Sequence, residues 1–131
     1  MNLVDSSAWL EFFADGPNAG FFAPPILDTR SLLVPSICLV EVFRRVRAQR
    51  DEPSALEAVA VMQQGRVIAL DASLAVFAGR LGAELRLPLA DSIVLATARM
   101  HDAILWTQDA DFQRIPGVKF KPKRDVPASP T

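Results

Sequence analysis

The feature that most constrains this chain is the alternation of short apolar runs, three or four residues each, with longer stretches whose apolar residues recur at helical spacing. A parallel pair of strands needs a long return connection, so short strands separated by helices point to a parallel sheet with helices on both faces. Asn2–Val4 reads as the first strand, and Asp5-Ser6-Ser7 opens a helix through Trp9, Leu10 and Phe13. Gly16-Pro17 breaks that helix, and residues 18–27 allow a short helical turn before Pro24-Pro25. Leu32-Leu33-Val34 is a second strand ended by Pro35, and Ser36 is placed to cap a helix reaching about Gln49. After Asp51-Glu52-Pro53, the pair Ser54 and Glu57 forms a capping box for a helix ending near Gly65. A third strand is expected over 67–70, and Asp71 opens a helix whose Leu74, Phe77, Ala78, Leu81 and Leu85 form one buried stripe. Pro88 precedes a helix over Leu89–Met100, a fourth strand is expected over 103–106, and Val118–Phe120 forms a fifth at an edge.

Such a sheet binds ligands at the carboxyl ends of its strands. With 131 residues, half of them hydrophobic, the chain has the size and composition of one folded domain, expected over 1–121, followed by a Pro-rich, frayed tail over 122–131. Its uncharged stretches fall short of the ~20 apolar residues of a membrane span. Asn2-Leu3-Val4-Asp5 follows Met1 with no basic or apolar leader, and the lone Cys38 forms no internal disulfide, so a cytoplasmic protein is expected.

Composition narrows the chemistry further. One histidine, His101, and no tyrosine exclude a histidine-pair nuclease; neither a serine-hydrolase elbow nor a glycine-rich phosphate loop is present. Carboxylates are the plentiful catalysts that remain, and four occupy telling positions. Asp5 and Asp109 each follow a strand, Asp91 lies in the first turn of a helix, and Glu41 is the only charge in Ile37-Cys38-Leu39-Val40-Glu41-Val42-Phe43. Each has an ordinary structural explanation. Asp5 would cap a helix, Asp91 would complement a helix dipole, Asp109 would hold a turn, and Glu41 would pair with Arg44 or Arg45. The alternative is a shared site at one sheet edge, in which like charges require a compensating cation. Oxygen ligands without histidine or cysteine favour Mg²⁺ or Mn²⁺, which suit phosphodiester hydrolysis.

The segments Val4-Asp5-Ser6-Ser7, Val40-Glu41-Val42-Phe43, Leu89-Ala90-Asp91-Ser92-Ile93 and Trp106-Thr107-Gln108-Asp109-Ala110-Asp111-Phe112 resemble, in order and spacing, the four acidic motifs of PIN-domain ribonucleases. The likeness is greatest to VapC toxins of bacterial toxin–antitoxin pairs and runs from Asn2 to about Phe120. It implies a five-stranded parallel sheet, Mg²⁺ or Mn²⁺ at Asp5, Glu41, Asp91 and Asp109, cleavage of RNA, a VapB-like antitoxin and a homodimer. Where many relatives carry Asp-Thr-Asn, this chain has Asp5-Ser6-Ser7, so Ser6 takes the place of the orienting hydroxyl and Ser7 is left to cap the helix. Thr107 is the second orienting hydroxyl. Asp109 matches the fourth acid, which leaves Asp111 as a turn or supporting residue.

Arg44, Arg45 and Arg47 stand on the helix of Glu41, as a solvated face or as phosphate contacts. Lys119, Lys121, Lys123 and Arg124 form a basic tail with the same two readings, solubilising or RNA-touching. Trp9, Phe12, Phe13, Phe21 and Phe22 supply core, with an antitoxin or dimer groove as the alternative. Cys38 reads as a core residue, and His101 as a helix-end cation without a catalytic role. Two rival functions remain. An aspartyl-phosphate hydrolase would need a second acid where Ser7 stands and a lysine before Lys119; a non-catalytic binding module would keep the fold with purely structural acids.

Overall fold

The computed structural model describes residues 1–124; of the tail set apart by sequence, 125–131 lie outside the described residues. Five strands, β1 (Asn2–Val4), β2 (Leu32–Pro35), β3 (Arg66–Ile68), β4 (Ile104–Thr107) and β5 (Val118–Phe120), form one sheet in the order β3-β2-β1-β4-β5. Every pairing is parallel, as the alternating pattern predicts. Leu3 of β1 lies in register with Leu33 of β2 and Leu105 of β4, and the neighbours Leu3 and Val4 are both fully buried, so both faces of the central strand are covered. The chain winds outward from β1 through β2 to β3, then returns to the other side of β1 for β4 and β5. That reversal puts a crevice at the carboxyl ends of β1 and β4.

Six helices connect the strands: α1 (Ser6–Phe13), α2 (Ala19–Leu27), α3 (Ser36–Gln49), α4 (Glu52–Met62), α5 (Ala72–Leu85) and α6 (Leu89–Met100). Asp71 caps α5 by accepting the Leu74 N–H, and Leu74, Ala78 and Leu81 are buried as the stripe requires, whereas Leu85 is exposed. Cys38 is a buried core residue, and His101 follows α6 as its cap.

Several local expectations are corrected. The segment before Pro24-Pro25 is not a short turn, because α2 runs through both prolines. Phe22 and Ile26 are buried on the same helix, and packing of that face outweighs the backbone bonds the prolines cannot donate. Ser36 is the first residue of α3 and does not cap it; its hydroxyl accepts the Leu70 N–H, and this bond lies beyond β3, which stops at Ile68. Asp51, not Ser54, caps α4, with Pro53 in the first turn, where its missing N–H is harmless. The chain after β5 does not fray at once, since the Lys121 N–H donates to the Thr107 carbonyl and the Pro122 carbonyl accepts from Asn18.

Helices α5 and α6 approach closely at Gly82. A Cβ there would fall 2.2 Å from the Ser92 hydroxyl oxygen, so only glycine lets α6 settle at this depth. Ser92 follows Asp91 directly, and the contact therefore fixes the turn that carries this acid.

Candidate active site

The end of β1 sets the first acid. The Asp5 N–H continues the ladder by donating to the Trp106 carbonyl at 3.1 Å, which draws its side chain toward the end of β4. Asp5 is only 4% exposed. Its Oδ1 accepts from the Ala8 N–H at 3.0 Å and from the Ser7 hydroxyl at 2.8 Å, while Oδ2 accepts from the Thr107 hydroxyl. Asp5 therefore is the helix cap, a role the sequence also offered to Ser7, and it lines the crevice as well: the two readings of this residue are not alternatives. Thr107, fully buried, passes the order onward by accepting the Asp109 N–H at 2.9 Å.

Glu41, half-buried on α3, accepts from the Ser6 hydroxyl at 2.8 Å, the bond that joins α3 to the first turn of α1. Asp91 lies in the first turn of α6, as expected. Asp109 caps the 3-10 turn Ala110–Phe112 by accepting the Asp111 N–H at 2.9 Å. That turn folds Asp111 back, so that ligand oxygens of Asp91, Asp109 and Asp111 lie within 4.8 Å of one another. Asp111, ranked below Asp109 on sequence, stands beside it.

Asp5, Ser6, Ser7, Glu41, Asp91 and Asp109 line one cavity of about 280 Å³, with Arg45 at its wall. Arg44 and Arg47 are exposed on the same helix and do not line it. Lys119 and Lys121 of the basic tail lie against aromatic rings, with Nζ 4.5 Å from the centre of Trp106 and 5.6 Å from that of Phe21. A second groove, about 300 Å³, runs between α1, α3 and α4 and is lined by Leu10, Phe13, Val46, Ala58 and Val61 among others. It lacks a cluster of acids, and it meets the acidic cavity at Leu10, which borders both. Two further buried polar residues, Asn18 and Gln108, escaped the sequence reading. They pair across 90 positions, and no local pattern signals that contact.

Crowding has an electrostatic consequence. Burial pushes the Asp5 carboxyl up to about 6, against the hydrogen bonds from Thr107, Ala8 and Ser7, and the charge of Asp109 adds to the rise. Asp91 is pushed up to about 8, first by burial, then by its hydrogen bond with Asp111 and by the charges of Asp109, Asp111 and Asp5. Both carboxyls hold protons more tightly in the folded chain than in the unfolded one. Their contribution to stability must then fall as pH rises above 4, through about 6 for Asp5 and about 8 for Asp91. Urea melts in EDTA are expected to show a midpoint that declines between about pH 5 and about pH 8, with a shallower decline in Asp91→Asn. A midpoint flat or rising over this window in both proteins would contradict the crowding.

The donor set is hard oxygen at short mutual range, with one member held protonated in the absence of a cation, and it fits a divalent ion. Asp91, Asp109 and Asp111 supply the clustered oxygens, and Asp5 and Glu41 face the same cavity.

Comparison with known proteins agrees with this architecture. No curated protein matches the chain by sequence. Among solved structures, a toxin–antitoxin complex from Klebsiella pneumoniae superposes with a TM-score of 0.75 at 25% identity, covering 90% of this chain and 95% of the other. The VapC20 toxin of Mycobacterium tuberculosis, described as cleaving the sarcin–ricin loop, gives 0.75 at 19% identity over 93% of this chain and 100% of its own. DNA-bound VapBC from Salmonella typhimurium gives 0.71 at 19% identity over 93% and 98%. These last two share the fold. The family profile of the PIN domain matches residues 3–118, nearly the whole chain, and with the five-stranded parallel sheet it shows that this chain belongs to the PIN domain family.

Proposed function

We propose that this protein is a divalent-metal-dependent endoribonuclease that acts as the toxin of a toxin–antitoxin pair in the cytoplasm. The observation that carries the reading is the convergence of Asp5, Glu41, Asp91 and Asp109 on one cavity, from four separate segments, with Asp111 joining the cluster. Mg²⁺ or Mn²⁺ is the cation this oxygen set favours. Held by these residues, such an ion would supply Lewis-acid polarisation of the phosphate and would make the attacking water easier to deprotonate.

The chain's own residues do the rest. Thr107, Ser7 and the Ala8 N–H fix both oxygens of Asp5, and Ser6 fixes Glu41, so these two carboxylates stay oriented before substrate arrives. Ser6 and Ser7 each donate to a carboxylate and so orient it, and in this reading water is the nucleophile. Arg45 brings a positive charge to the cavity wall for an RNA phosphate, and Arg44 and Arg47 extend it along α3. Ser7 stands where an aspartyl-phosphate hydrolase would carry its second acid, and it donates to the first.

Two partners belong to this reading, a VapB-like antitoxin and a second copy of the chain. The groove of Leu10, Phe13, Val46, Ala58 and Val61 suits an apolar helix of the antitoxin. Because Leu10 borders both the groove and the acidic cavity, an antitoxin arginine could follow and replace the cation with its guanidinium. Among the described residues, no helix is long and apolar enough to cross a membrane.

RNA binding supplies the test. The formal net charge of the chain is −1, and one bound divalent ion brings it to +1 by offsetting part of the carboxylate charge at the place where RNA must dock. An uncleavable RNA is expected to bind at least about 10-fold more tightly in Mg²⁺ than in EDTA at equal ionic strength. Equal affinity in the two conditions would remove the metal from the RNA site.

A further inference from the structure

We infer that Asn18 and Gln108 are positioning residues of the acidic site, forming a buried amide relay that holds the turn between Thr107 and Asp109 against the start of α1. The inference rests on the metal-site reading above. Asn18 is 1% exposed and Gln108 is 6% exposed. The Asn18 side-chain amide donates to Gln108 Oε1 at 3.1 Å and to the Pro122 carbonyl at 2.9 Å, while its backbone N–H donates to Glu11 Oε2 at 2.8 Å. The Gln108 amide in turn donates to the Ser7 carbonyl at 3.4 Å, the longest bond of the set. Four segments meet here: α1, the approach to α2, the turn after β4 and the stretch after β5.

The location gives the relay its role. Gln108 separates Thr107, which holds Asp5, from Asp109, and it reaches the carbonyl of Ser7, whose hydroxyl holds Asp5 from the other side. Neither amide lines the acidic cavity, so both act through the residues they hold. Packing alone does not account for them. Among the described residues Asn18 Oδ1 is buried without a partner, and an apolar side chain of similar volume would fill the space without leaving a polar atom unsatisfied. What an apolar residue lacks is direction: two amides bonded in series fix where the turn leaves the sheet.

The test uses the full chain carrying Asn18→Leu, Gln108→Met or both. Mn²⁺ affinity is measured by calorimetry without RNA, and kcat and KM are measured on a single-stranded RNA. Removing a residue that orients ligands typically weakens metal binding by about 10-fold, and that loss is expected for each variant. At subsaturating Mn²⁺, kcat should fall by about 10-fold, recover at high Mn²⁺, and leave KM for RNA within about 2-fold. The double variant should be no worse than the worse single one, because the two amides work in series. Should Gln108→Met fail to fold, Gln108→Glu keeps an acceptor for Asn18, loses the donor to Ser7, and should show the same loss. Variants that are less stable yet bind Mn²⁺ and cleave like wild type would overturn the positioning role alone. Wild-type protein that binds no Mn²⁺ would overturn the metal-site reading and the relay's role with it.

Discussion

Asp5→Asn and Asp109→Asn are each expected to keep the fold and lose RNA cleavage by about 10³-fold, because polarisation by a correctly held cation is worth several kcal/mol and about 4 kcal/mol is that factor in rate. Asparagine caps helices as well as aspartate does, so Asp5→Asn retains the acceptor for the Ala8 N–H. The Thr107 hydroxyl can turn from donor to acceptor to meet the new amide. Removing a buried carboxyl whose proton is held up to about 6 should also leave the metal-free protein at least as stable as wild type near neutral pH. Loss of activity with undiminished stability in EDTA thus separates a catalytic role from a structural one. Cleavage within about 3-fold of wild type in both variants would place the chemistry elsewhere.

The second large effect is a reversal of sign. Asp91→Asn should be more stable than wild type in EDTA at neutral pH, by on the order of 1–2 kcal/mol once solvent screening of this half-exposed group is allowed for. Burial and the charges of Asp109, Asp111 and Asp5 all oppose its ionisation, and the neutral side chain escapes them. With Mg²⁺ at about 100 times the wild-type dissociation constant, the wild type gains about 2.7 kcal/mol; a variant that binds the ion about 100-fold more weakly for want of one ligand gains only about 0.4 kcal/mol, so the order inverts. If Asp91 served only to complement the dipole of α6, the substitution would cost about 0.3–1 kcal/mol under both conditions. Urea melts at fixed pH and ionic strength distinguish the two.

Backbone alternation was legible in the sequence because it depends on local chemistry. Three-residue apolar runs, Asp71 before α5 and Pro88 before α6 act within a few positions of themselves, and the strand order then places the carboxyl ends of β1 and β4 side by side. What failed was competition between neighbours. Asp51 and Ser54 both suit a helix start, and Asp51 wins because it accepts the Ser54 N–H with Pro53 already in a helical φ. The prolines of α2 mislead for a different reason, since the burial of Phe22 and Ile26 in the core outweighs the local signal of a break.

The acids were legible in position but not in relation. Each had a structural explanation that seemed to compete with a functional one, yet Asp5 caps α1 while lining the cavity, and Asp109 holds its turn while facing Asp91. The nearness of Asp111 to Asp91 and Asp109 depends on that turn closing, which no local pattern announces. The Asn18–Gln108 pair lies deeper still: a long-range hydrogen bond between two uncharged amides leaves no periodicity, motif or charge pattern to read.

Metal-dependent cleavage of RNA is the central claim, and one incubation tests it most directly. Purified wild-type chain, free of any partner, is mixed with a labelled single-stranded RNA in Mg²⁺, in Mn²⁺ and in EDTA, with Asp5→Asn in parallel. Endonucleolytic fragments are expected with either ion, and none in EDTA or from Asp5→Asn. Intact RNA with both ions, from protein shown to be folded, would contradict the account, as would fragments that persist in EDTA.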